Sequence, residues 1–126
     1  MVNLGTNDAS TSGDPGTPYR TAYLDFVRTL RKNYPDAFFI LSIGPMLSDA
    51  PLIAIRGHIQ AVIKTLAGEG DTKMSYLEFP TQDCGSEPPY PNCGCAWHPN
   101  AATNAKNGRP ASGRGEEAAS LVGTAG

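Results

Sequence analysis

The order of hydrophobic patterns limits the fold more than any other feature of this chain. A continuous apolar run, Ala37-Phe38-Phe39-Ile40-Leu41-Ser42-Ile43-Gly44, stands between two stretches of helical periodicity. A run of that length, rich in aromatic and β-branched residues and closed by Pro45, predicts a strand. Without polar alternation, it fits a parallel strand covered on both faces. Before it, Tyr19, Ala22, Tyr23, Phe26, Val27, Leu30 and Tyr34 recur at three- and four-residue spacing, with Arg20, Asp25, Arg28, Arg31 and Lys32 on the other side. This predicts an amphipathic helix, opened by Thr17 as N-cap and Pro18 as first helical residue, and stopped by Pro35. After the run, Leu52, Ile55, Ile59, Val62, Ile63 and Leu66 form a second stripe, with Arg56, His58, Gln60 and Lys64 facing water. Gly68 to Asp71 close that helix, and Thr72 to Phe79 reads as another strand.

The first residues, Met1-Val2-Asn3-Leu4-Gly5-Thr6-Asn7-Asp8, read as a buried strand opening into a loop, and Ala9 to Gly16 continue that loop. Strand, helix, strand, helix, strand with short connections implies parallel pairing through right-handed crossovers. The expected fold class is therefore α/β, with three parallel strands and two crossover helices, as in part of a three-layer α/β/α fold. If the strands lie side by side in sequence order, both helices fall on one face. The other face then needs a C-terminal helix and further polypeptide. Because strand-like sequence follows Met1 directly, with no signal-peptide pattern, we expect the C-terminal portion of a longer protein.

With 126 residues the chain suffices for one ordinary domain. A net charge of −2 and 17% charged residues give no footprint for nucleic acid or an anionic membrane. The longest apolar stretch is far short of the roughly 20 residues that cross a bilayer. Small neutral or mildly polar substrates fit better. Cys84, Cys93 and Cys95 crowd one Pro/Gly-rich loop, a pattern of disulfide-bonded secreted proteins. With His98 they also make a four-ligand set, but a Cys-x-Cys pair is tight for tetrahedral zinc, which favours the disulfide reading and no metal. His58 reads as a surface histidine with no acidic or nucleophilic neighbour in its turn.

Two positions carry candidate chemistry. A side-chain amide fixed at a strand end can donate to an oxyanion, which singles out Asn7, although Gly5-Thr6-Asn7-Asp8 taken alone reads as a turn. A histidine between tryptophan and proline, in a loop held by a disulfide, is placed as a constrained base, which singles out His98. With Gly-Thr-Asn-Asp after a strand, the Tyr-Arg-Thr-Ala-Tyr helix, Pro-Thr-Gln-Asp and then Trp-His-Pro, the chain resembles the C-terminal part of an SGNH (GDSL-type) hydrolase from about Val2 to Lys106. Within that group it is most similar to the carbohydrate esterase family 2 deacetylases, also called acetyl xylan esterases.

The resemblance implies an ester hydrolase that removes acetyl groups from carbohydrate without a cofactor, monomeric when intact, and secreted or periplasmic. It implies His98 as general base, Asn7 as oxyanion donor and Gly5 as the residue permitting its turn, with Trp97 and Asp8 toward the substrate. In that family a serine in a Gly-Asp-Ser block attacks the ester and a second block supplies a glycine. Neither has a counterpart here. The family's aspartate two or three residues before the histidine is also absent, since Cys95 and Ala96 stand there. Loss of such an aspartate can cost about 10⁴ in turnover. Two readings stay open: a Ser-His dyad whose other ring nitrogen meets a backbone carbonyl, with Asp83 as a remote acidic alternative, or a non-catalytic carbohydrate-binding remnant. Trp97 serves either as loop core or as a stacking platform for a sugar ring.

Residues 1–106 thus form the hydrolase-like portion and 107–126 an irregular tail. From Asn107 onward no helical stripe or aromatic residue appears. Read one nucleotide later, suitable codons there would spell Met-Ala-Asp-Gln-Leu-Arg-Ala-Val-Val-Lys-Lys, an amphipathic helix. We therefore expect a frameshifted or replaced C-terminus.

Overall fold

The computed structural model describes residues 1–10, 13–85 and 92–108. Its elements follow the order β1 (Val2–Asn3), α1 (Thr6–Ser10), α2 (Gly16–Asn33), β2 (Phe39–Ile43), α3 (Asp49–Gly68), β3 (Met74–Glu78), a single turn at Cys95–Trp97 and α4 (Ala101–Asn107). The 86–91 segment and the tail from residue 109, with its expected frameshift, lie outside the described residues. The strands pair in parallel in the order β1-β2-β3, as the alternation of patterns predicts. Val2 stands opposite Leu41, and Phe39 to Ile43 run beside Met74 to Glu78.

This register puts Phe39, Leu41, Ile43 and Met74 on one face. There they are buried against Tyr23 and Val27 of α2 and Ile55, Ile59, Val62 and Leu66 of α3. The two crossovers pack on each other and on this face, and among the described residues part of the other face stays in water. Phe38 is 60% exposed and Leu77 is 37% exposed in consequence. Within β2 the expectation of a strand covered on both faces holds, since Phe39, Leu41, Ser42 and Ile43 are buried and Ile40 half-buried. Ser42, fully buried, donates its hydroxyl to the carbonyl of Val2 at 3.1 Å and so loses no hydrogen bond on burial.

Several local expectations need correction. Thr6–Ser10 is a short helix, not loop, because the Ala9 N–H closes a turn onto the Gly5 carbonyl at 3.0 Å. Helix α2 begins at Gly16, with Pro15 as N-cap, so Thr17 and Pro18 sit inside its first turn. The Asp14 carboxylate takes the Gly16 N–H at 2.8 Å, which caps the end without a Thr17 side chain. The buried stripe of α2 is rotated from the predicted one: Phe26 is 42% exposed and Tyr34 also faces water. Arg31 takes the vacated place at the core edge, its guanidinium 4.2 Å from the centroid of the Phe39 ring.

That arginine ties the bottom of the sheet together. It meets Asp71 through Nε at 2.7 Å and Nη2 at 3.0 Å, and it donates to the carbonyls of Ala37 and Lys73. Five donors in a planar fork let one side chain hold the exit of α2, the entry to β2 and the entry to β3. Arg56, expected in water, instead pairs with Glu78 at 2.7 Å through both Nε and Nη2, and Tyr76 donates to the same carboxylate.

Arg31 holds the Asp71 carboxyl below its ordinary value, and Arg56 does the same to Glu78. Stability from these pairs is therefore complete above the ordinary carboxylate range and is lost as pH falls through the lowered values. The urea midpoint should fall on acidification below about pH 4, and Asp71→Asn with Glu78→Gln should flatten that dependence. Asp71→Asn alone should cost about 1.5–3 kcal/mol at neutral pH, the range for hydrogen bonds to charged groups.

Candidate functional site

All three strands end on one rim, where the loops that follow them are stitched together. The side chain of Asn3 packs on Gly44, where an added Cβ would lie 3.0 Å from Asn3 Nδ2. The N–H of Phe79 reaches the carbonyl of Ile43 at 3.1 Å, that of Gln82 reaches Pro45 at 2.9 Å, and the Thr81 hydroxyl reaches Leu47 at 2.9 Å. Between them a cavity of about 310 Å³ is bordered by Asn3, Thr6, Gly44, Phe79, Pro99 and Asn104, among others. Thr6 precedes Asn7 and Pro99 follows His98. The cavity therefore brings the neighbours of both sequence-predicted residues to one place.

Gly5 is required where it stands. Its φ is +113°, and an added Cβ would lie 2.7 Å from Tyr19 Oη and 2.9 Å from Ile55 Cγ2. The backbone turns there from β1 into α1. Asn7 consequently lies in the first turn of a helix and not on a strand end, and it is exposed beside the equally exposed Asp8. Asp8 lies near enough to Tyr19 to act on its hydroxyl. Burial first, then Tyr23 and Asp8, raise the Tyr19 pKa well above the usual phenol value. Burial alone pushes Tyr23 up to about 12.

The His98 loop is closed by covalent and hydrogen bonds together. Cys84 and Cys93 form a disulfide, and Cys95 is free and exposed. Cys93 bridges Pro99, and the N–H of Gly94 donates to the carbonyl of His98 at 2.7 Å. Ala96 and Trp97 take left-handed φ values of 50° and 64°, which turns the chain back so that His98 faces the Cys95 carbonyl. That carbonyl lies 3.1 Å from His98 Nδ1 and accepts the His98 N–H as well. A neutral ring that donates from Nδ1 keeps its acceptor lone pair on Nε2. Asp83 is used elsewhere, its carboxylate accepting the Gly85 N–H at 2.9 Å. Trp97 is 53% exposed, so it does not fill the loop core. The Gln82 amide donates to the Trp97 carbonyl and anchors this loop to the exit of β3.

A second, polar cavity of about 390 Å³ lies behind that anchor, bordered by Gln82, Asp83, Asn92, Asn100, Thr103 and Lys106 among others. Gln82 Oε1 is buried with no partner among the described residues. No group of three or more His, Cys, Asp or Glu that could hold a metal ion occurs among the described residues.

His58 departs most from expectation. Its side chain is only 13% exposed, and Nε2 lies 2.7 Å from Asp14 Oδ1. The partner is 44 residues distant in sequence, beyond any signal within one helical turn. The other feature that sequence reasoning could not locate is the Cys95 carbonyl, because every residue carries one.

No family model matches the chain. It is 40% identical over 104 residues to a cellulase/esterase, CelE, of Acetivibrio thermocellus, covering 82% of this chain and 12% of that protein. Among solved structures, a family two carbohydrate esterase from Clostridium thermocellum in complex with cellohexaose superposes with a TM-score of 0.73 at 38% identity, over 82% of this chain and 30% of that one. A carbohydrate esterase family 2 enzyme plus carbohydrate binding domain from Corynascus thermopiles (Myceliophthora fergusii) gives a TM-score of 0.58 at 35% identity, over 83% of this chain and 32% of that one. The chain thus resembles one part of the family 2 carbohydrate esterases in sequence and in fold, and it spans less than a third of the length of the relatives it matches.

The demand on Gly5 gives a direct test of how the rim is built. Gly5→Ala should cost about 1–3 kcal/mol in chemical denaturation, from left-handed strain alone, and more if Tyr19 cannot yield.

Proposed function

We propose that this chain carries the general base and one oxyanion donor of a carbohydrate ester hydrolase that works by serine acyl transfer, with His98 as base and Asn7 as donor. One observation supports this most strongly: the Cys95 carbonyl takes His98 Nδ1 at 3.1 Å, which is the orienting role an aspartate plays in a triad. The departure that the sequence raised, no aspartate before His98, then requires only a dyad. His98 Nε2 would accept the serine proton as the hydroxyl attacks the ester carbonyl, and would return it to the leaving sugar oxygen. The Asn7 amide would donate to the oxyanion that develops. No Gly-Asp-Ser block stands in the 126 residues, so the reading assigns the nucleophile to sequence outside them.

The substrate reading rests on likeness and on exposure. The Clostridium thermocellum relatives are described in complex with cellohexaose. In this chain the exposed Trp97 next to His98 offers a flat face for a pyranose ring, and the Gln82 amide that anchors it also borders an amide-lined cavity. The Cys84–Cys93 disulfide goes with an oxidising setting, secreted or periplasmic. A second reading, carbohydrate binding without catalysis, is favoured by the same exposed Trp97 together with the absent nucleophile block.

Trp97 is the single tryptophan, so its fluorescence separates these readings from neither being true. Cellohexaose should shift that fluorescence, and Trp97→Ala should weaken binding several-fold to about tenfold. No shift would remove the carbohydrate site. In a polypeptide that joins this segment to a Gly-Asp-Ser block, Asn7→Ala should lower kcat for acetate release by about 10²–10³, and His98→Ala should abolish it. Binding that persists without any acetate release from such a polypeptide would favour the second reading.

A further inference from the structure

We propose that His58, paired with Asp14, is a positioning residue that sets the pose of the Gly5–Asn7 turn through the ring of Tyr19; this rests on the reading of Asn7 as oxyanion donor. The contacts form an unbroken line. Asp14 Oδ1 meets His58 Nε2 at 2.7 Å and also accepts the Gly16 N–H at 2.8 Å, so one oxygen joins the start of α2 to the middle of α3. The imidazole stands edge-on to Tyr19, with ring centroids 5.7 Å apart. Tyr19 is braced from behind by Tyr23 at 5.6 Å. Its hydroxyl donates to the Leu4 carbonyl at 3.4 Å and occupies the space that a side chain on Gly5 would need. Ring packing of this kind passes on displacement because dense contacts leave no slack.

A helix face needs no imidazole at 13% exposure, and a lysine at position 58 could lie along the surface with its charge in water. The histidine brings a titratable group against the ring of Tyr19, whose hydroxyl meets Leu4 and fills the space beside Gly5. The groups facing it are Asp14 from the loop before α2 and Tyr19 from α2, with Asp8 of α1 acting at the Tyr19 hydroxyl. Asp14 is the carboxylate in hydrogen-bond reach of the imidazole. Protonation of His58 therefore tightens the contact to Asp14, and deprotonation loosens it.

The test needs neither substrate nor nucleophile, so its outcome is independent of whether Asn7 serves in catalysis. In the isotope-labelled chain, the Asn7 side-chain amide signal should shift with pH at the same midpoint as the ring protons of His58. His58→Gln keeps a donor to Asp14 but cannot titrate, and should abolish that step while leaving exchange of the Ala9 N–H protected. His58→Leu should lose both, with Ala9 exchange faster by at least about tenfold. An Asn7 signal indifferent to the His58 titration in the unaltered chain would overturn the proposal, whether or not the variants fold. So would an unchanged step in His58→Gln.

Discussion

β2 is hydrogen-bonded on both sides, and nearly everything else in the molecule follows from that. A strand paired in parallel with the strand before it and the strand after it needs two crossovers, and right-handed connections between sequential neighbours put both on the same face. Helices α2 and α3 must then share one side of the sheet. Their apolar stripes, with Phe39, Leu41 and Ile43, make a single core. The same pairing points every strand end one way, so the loops after Asn3, Ile43 and Glu78 can touch. The candidate chemistry lies on that rim because open parallel sheets have a crevice there.

Around this frame, charged groups are placed where backbone ends need partners. Arg31 meets two carbonyls near the entries of β2 and β3 and is neutralised by Asp71. Arg56 does a comparable task for Glu78 near the rim. Both pairs are partly buried and bidentate, the geometry in which an ion pair is held by more than screened attraction. The less covered face of the sheet is the opposite case. Phe38 is 60% exposed and Leu77 is 37% exposed there.

The two candidate residues reach the rim by unlike means. Asn7 is carried on a five-residue helix whose entry depends on one glycine with no room for a side chain. His98 is held by a disulfide, a left-handed turn and a backbone carbonyl. A rigid scaffold with short, cross-braced loops keeps such groups in place against thermal motion, which catalysis and specific binding both require. Likeness to the family 2 carbohydrate esterases reaches across 82% of the chain.

Periodicity determined the order of the three strands and two long helices, and most of the buried residues of α3, because a strand or helix must show its apolar face at its own repeat. The motif blocks around Asn7 and His98 likewise named a family whose fold the structure matches. Tertiary structure alone decided which face of α2 turns inward, that Thr6–Ser10 is helical, and that His58 leaves the water to meet Asp14. In each case the deciding partner lies outside the segment's own repeat or is a backbone atom: Phe39 draws Arg31 to the core edge, Asp14 reaches His58 across 44 residues, and the Gly5 carbonyl takes the Ala9 N–H. Local patterns record how a segment repeats. They do not record what closes over it when distant segments are packed together.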